Sequence, residues 1–148
     1  MATSNPFAMY QLAIPSKYED QIKKYSRTSS QKNDSIEFSP CDRQVDVWYL
    51  AFLLAVNEGL EPIREKETYN ATAASIFDRD PERVSFIQLS VLGLTGDVDS
   101  LKDPKATFDY ALGLANAGFP KLFQILGDED DRPLWAILDA FESMSSAV

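Results

Sequence analysis

The run VWYLAFLLAV, residues 47–56, sets ten apolar side chains in a row inside a chain that is otherwise polar and acidic. A membrane span needs about 20 such residues. This run has half that number, with Asp42, Arg43 and Asp46 before it and Asn57 and Glu58 after it. Ser39, Pro40 and Asp42 form a helix-start signature, with Ser39 as the cap, and Gly59 stands at the stop position. A strand reading of residues 45–56 fits the Val, Trp, Tyr and Phe content, but the length and the caps favour a helix. An apolar helix without a polar stripe belongs inside a core. The run therefore predicts a buried helix over residues 40–58 and a fold organised around it.

The same punctuation recurs downstream. Asp80, Pro81 and Gly96 bracket a helix over 81–95, and Asp103, Pro104 and Gly118 bracket one over 104–117. FPKLFQILG gives a shorter helix over 120–127, and DDRPLWAILDAFESM predicts one over 132–145. Apolar stripes support three of these: Val84, Ile87, Val91 and Leu94; Phe108, Ala111, Leu112 and Ala115; and Leu134, Ile137, Leu138, Phe141 and Met144. Trp48, Phe52, Ile87, Phe108, Trp135 and Leu138 are the expected shared core.

SKYEDQIKKY suggests one more short helix, with Ser16 as its cap, and residues 26–35 form a polar loop. Residues 59–80 lack a clean period and suit an irregular crossing with a short strand near residues 74–77. The expected fold is mostly all-α, a compact bundle of five or six helices with room for one short strand pair. An N-terminal segment, 1–38, carries the short helix and the polar loop, and 39–148 is the helical domain.

Length and composition agree with one globular unit: 148 residues, 45% hydrophobic and 25% charged. The net charge is −9 and the pI about 4.4. That balance argues against broad affinity for nucleic acid, which needs clustered cations. Residues 1–40 carry net +1 and the remainder net −10. The single cysteine, Cys41, excludes an intrachain disulfide, and the N-terminus lacks the basic start and apolar core of a signal peptide. A reducing, cytoplasmic setting without membrane insertion is expected.

The residue inventory gives little for chemistry. There is no histidine, so the commonest general base and metal ligand is missing. No glycine-rich phosphate loop appears. Asp97, Asp99 and Asp103 have the spacing of part of a calcium loop, without its central glycine and closing glutamate. Asp78, Asp80 and Glu82 lack the following lysine of a carboxylate nuclease centre, and the acidic residues in 127–132 sit where a helix start favours them. Capping explains these carboxylates. Cys41 has no candidate base and reads as inert. No catalytic residue, metal or cofactor is expected.

Two groups remain as candidate contacts. Phe7, Tyr10, Leu12, Phe119 and Phe123 lie outside the helical stripes and are candidate partner-binding residues, since aromatic side chains concentrate in interface centres. Lys17, Lys23, Lys24 and Arg27, interleaved with Tyr18 and Tyr25, are candidate nucleic-acid contacts, although Glu19 and Asp20 dilute them.

The order of IPSKYEDQIKKYS, the capped VDVWYLAFLLAVNEGLEP helix and the run FIQLSVLGLTGDVDSLKDPKATFDYALGLANAGFPKLFQIL resembles small accessory proteins associated with bacterial DNA phosphorothioation gene clusters. The resemblance covers residues 14–140 and rests on Asp97, Asp99, Tyr110, Ala111, Gly118, Leu122 and Leu126. These are structural punctuation. The N-terminal extension and the serine-rich stretch at 26–35 fall outside the pattern, and no catalytic residue carries over. The resemblance implies a small non-catalytic subunit or adaptor of an anti-phage defence complex, bound to a larger ATPase or nuclease encoded beside it. The alternative expectation is an acidic regulator or phage-encoded inhibitor that imitates nucleic acid. A carboxylate-dependent nuclease is a third.

Overall fold

A computed structural model of the chain describes residues 5–26, 40–127 and 132–146. The elements in order are β1 (Gln11–Pro15), α1 (Glu19–Tyr25), α2 (Gln44–Glu58), β2 (Thr68–Ala73), α3 (Pro81–Thr95), α4 (Pro104–Leu126) and α5 (Pro133–Ser146). Short 3₁₀ turns occupy Ser16–Tyr18, Ala74–Arg79 and Val98–Lys102. The protein is mostly α-helical, with one antiparallel strand pair.

The opening run sits at the centre. Val47, Trp48, Ala51, Phe52, Leu54 and Ala55 are fully buried, and Tyr49, Leu50, Leu53 and Val56 are half-buried against the same core. The Trp48 ring stacks on Phe52 at 5.6 Å and meets Phe77 at 5.9 Å and Phe108 at 6.4 Å. The long helix α4 lies across α2. Their backbones approach so closely at Gly118 that a Cβ there would run into the carbonyl of Ala51. Ala111, Leu114, Ala115 and Leu122 complete the α4 side of the core.

Several helix limits differ from the sequence reading. α2 begins at Gln44, not at Pro40, because Arg43 is extended and donates its N–H to the Asp46 carboxylate at 3.0 Å. Ser39 lies outside the described residues, and Cys41 instead donates its N–H to the Tyr25 carbonyl at 3.2 Å. The stops at Gly59 and Gly96 are as expected, each with left-handed φ, 64° and 67°. Gly118 is not a stop. α4 continues through it and through Pro120 to Leu126, so the two helices expected over 104–117 and 120–127 are one. Gly118 serves the crossing with α2. At Pro120 the helix lacks only the N–H that would reach the Asn116 carbonyl.

The strand lies earlier than expected. Residues 74–77 are in a 3₁₀ turn, while Thr68–Ala73 pairs with Gln11–Pro15, in a register of Ile14 with Tyr69 and Leu12 with Thr72 that is irregular between Leu12 and Ala13. This pairing binds the N-terminal segment into the same core, where Leu12, Ile14 and Ile22 are fully buried. The described part of the N-terminal segment, residues 5–26, thus shares its packing with the helices. On α5 the expected stripe packs inward at Ile137, Phe141 and Met144, and Leu138 leaves it. Ala136 and Ile137 are buried, but Trp135 is 48% and Leu138 49% exposed, so neither belongs to the core with Trp48.

Candidate functional site

The candidate partner contacts near the N-terminus and at the end of α4 turn inward. Phe7, Leu12 and Phe119 are fully buried and Phe123 nearly so. Phe7 packs on Phe108 with centroids 5.0 Å apart, and Tyr18 meets Phe119 at 5.1 Å and Phe123 at 5.5 Å. These four side chains complete the protein's own core and present nothing to a partner. Tyr10 is half-buried, 5.8 Å from Phe108. The local cause is period-two alternation: Leu12 and Ile14 face inward while Gln11 faces solvent.

The basic residues do not assemble a phosphate track. Lys17 pairs with Glu65 and Lys23 with Glu19, each at 2.9 Å. The Lys24 ammonium lies 5.3 Å over the Tyr25 ring. Arg27 lies outside the described residues. Each described cation already faces a carboxylate or a ring.

The carboxylates are similarly occupied. Asp97 accepts from the Asp99 N–H at 3.0 Å and Asp103 from the Ala106 N–H at 3.1 Å, both as caps. They border a hollow of about 290 Å³ between α3, the Val98–Lys102 turn and α4. Asp78 accepts from the Asn5 amide at 2.9 Å. Among the described residues, no group of three His, Cys, Asp or Glu is placed to hold a metal ion. Of the acidic stretch at 127–132, residues 128–131 lie outside the described residues.

One charge cluster is half sheltered. Asp46 receives Arg43 at 3.1 Å and Arg83 at 2.9 Å, and Arg43 also reaches Asp80 at 3.2 Å. The Arg83 guanidinium covers the Tyr49 ring at 4.5 Å. Burial pushes the Asp46 carboxyl up, but the hydrogen bonds from the two arginines outweigh it and hold the group below its ordinary value. The cluster ties the start of α2 to the start of α3. Cys41 lies beside it, and burial pushes its thiol up to about 12, which keeps it protonated and unreactive.

A cleft of about 260 Å³ opens between α4, β1 and the segment leading into β2, bordered by Arg64, Asp109, Gly113 and Asn116. Its walls are fastened from within. Asn116 donates to the Ile63 carbonyl at 2.9 Å, and Ile63 donates to the Gly113 carbonyl at 2.9 Å. A Cβ at Gly113 would stand 2.7 Å from the Pro62 Cβ. Gly113 and Asn116 therefore act as a clasp for the 62–63 backbone.

What sequence reasoning missed is the apolar surface. Leu89 is 64% exposed on α3, with Phe86 and Leu94 partly exposed beside it, and Val98 and Leu101 continue the trend on the following turn. On α5, Trp135 and Leu138 stand one turn apart and half exposed. A periodic apolar pattern reports that a helix has an apolar side. It does not report whether the chain itself covers that side. No described helix is long and apolar enough to cross a membrane. No protein-family model matches the chain, and no curated protein or solved structure matches it at a significant level.

Proposed function

We propose that this chain is a non-catalytic adaptor that works by binding a larger protein through the outer face of α5. The observation that carries the reading is the half-exposed pair Trp135 and Leu138, three residues apart on a helix whose opposite side packs into the fold. Exposed tryptophan is uncommon on a surface that contacts only water, and tryptophan leads among residues that dominate binding energy. The resemblance to accessory proteins of phosphorothioation clusters supplies the context: a defence complex whose larger member is an ATPase or nuclease. A stable complex requires an interface of at least about 1,000 Å², so the partner surface extends beyond these two side chains.

The nucleic-acid imitation reading has less support. Asp46, Asp80, Glu19, Glu65, Glu58 and Asp109 each face a lysine or arginine, which removes them from a free acidic array. Co-expression with the neighbouring gene products, followed by size-exclusion chromatography, tests the adaptor reading. The expected result is co-elution with one larger protein, lost in Trp135→Ala/Leu138→Ala. Elution as a free chain beside folded neighbours would rule it out.

A further inference from the structure

The cleft between α4, β1 and the segment leading into β2 holds polar groups that the fold leaves unmet. Asn116 is only 7% exposed, and its amide is half used. Its Nδ2 donates to the Ile63 carbonyl at 2.9 Å, while Oδ1 has no donor. A buried acceptor without a donor is destabilising, and native structures hold few of them. Fastening the Ile63 carbonyl explains the nitrogen of this side chain and not the oxygen. Arg64 borders the same cleft, is exposed and forms no ion pair among the described residues.

The other charges on the cleft are acidic. Asp109 accepts from Lys105 at 2.7 Å through Oδ1, which leaves Oδ2 without a partner among the described residues. Glu65 is tied to Lys17 at 2.9 Å. Asp109 and Asn116 stand two turns apart on one side of α4. Arg64 belongs to the facing wall, the segment that meets α4 at Gly113. Ala13, Ile63 and Leu112 supply apolar lining beside them. The volume of about 260 Å³ lies just below the range of pockets for drug-sized ligands, so the cleft suits a smaller molecule and excludes a whole nucleotide.

We propose that this cleft binds a free apolar α-amino acid. The α-carboxylate pairs with the Arg64 guanidinium, whose fork matches a carboxylate. The α-ammonium has three N–H donors and serves Asp109 Oδ2 and Asn116 Oδ1. The hydrocarbon side chain lies against Leu112, Ile63 and Ala13. Charge complementarity selects this class of ligand. The unmet acceptors stand on α4 and the unmet cation on the facing wall, so a plain amine or a plain carboxylate would satisfy only one side. Solvent does not reach Oδ1, so the ammonium gains it as the exposed residues Ile63 and Arg64 shift outward from α4. The inference goes beyond the adaptor reading and does not rest on it, since the face on α5 is elsewhere in the fold.

The test is isothermal titration of the purified full chain with L-leucine, L-valine and L-phenylalanine as probes. At least one should bind saturably at a single site. Three analogues of leucine separate the charges: isopentylamine keeps only the cation, 4-methylpentanoate only the anion, and N-acetyl-L-leucinamide neither. Each should bind at least about tenfold more weakly than the amino acid. Arg64→Gln and Asp109→Asn alter exposed side chains, so circular dichroism should stay unchanged while each weakens binding at least about tenfold. Trp135→Ala/Leu138→Ala should leave amino-acid binding intact. Any of three results would overturn the proposal: no saturable binding of the three amino acids at millimolar concentration, N-acetyl-L-leucinamide binding as tightly as leucine, or full affinity retained in both folded variants.

Discussion

Gly93→Ala and Gly118→Ala make the same chemical change at two mid-helix positions, and the structure assigns them opposite signs. Alanine raises helix propensity by about 1 kcal/mol over glycine at either site. At Gly93 the new methyl meets nothing within 4 Å, so most of that gain should appear as stability. At Gly118 the methyl collides with the Ala51 backbone carbonyl, which cannot rotate away as a side chain would. α4 must then move off α2 along their contact, past Ala51, Ala55, Leu114 and Ala115. Overpacking costs about 1–3 kcal/mol, occasionally more, and a backbone obstacle puts this case at the upper end. The net loss should be about 2 kcal/mol. For a chain of this size each kcal/mol moves Tm by about 2–4 °C. Thermal and urea unfolding followed by circular dichroism separates the two. Gly118→Ala should lower Tm by about 4–8 °C and Gly93→Ala should raise it by about 2–4 °C. Equal effects, or a stabilising Gly118→Ala, would refute the close α2–α4 crossing.

The Asp46 cluster predicts a pH dependence. Because the folded carboxyl titrates below its ordinary value, its contribution is complete above about pH 5 and is lost as pH falls through about 3.9 toward the folded value. Asp46→Asn should therefore cost about 2 kcal/mol near neutrality, and its gap from wild type should close in acid; urea titrations at several pH values would reveal a constant gap if the reasoning fails. Trp48→Ala should cost about 3–5 kcal/mol, and half-exposed Trp135→Ala about 1–2 kcal/mol; equal costs would contradict the outward placement of Trp135. Native Cys41, with its thiol pushed up to about 12, should resist a thiol-reactive disulfide reagent at pH 8 and react fully in denaturant.

The fold was legible where one signal acts alone. The uncharged apolar run marked α2 as the central helix, and Asp-Pro starts with glycine stops located α3 and the beginning of α4. It was illegible where one residue type serves two ends. Gly118 has the chemistry of a helix stop and of a helix crossing, and only the proximity of Ala51 decides between them. Leu12 and Ile14 alternate as a strand does, but their partner strand lies more than fifty residues on, and nothing local announces that pairing. The candidate surface was the least legible part. Phe7 and Phe119 differ from Phe86 and Leu89 by the neighbours the fold brings to them, and Trp135 falls outside the Ile137, Phe141 and Met144 stripe that packs inward.

Hydrogen–deuterium exchange of the full chain, alone and in complex with its co-purified larger partner, tests the adaptor reading most directly. Binding through α5 predicts slowed exchange across residues 133–146, centred on Trp135 and Leu138, with β1 and α1 unchanged. Unchanged exchange in α5, with protection confined to residues 5–26, would contradict the account.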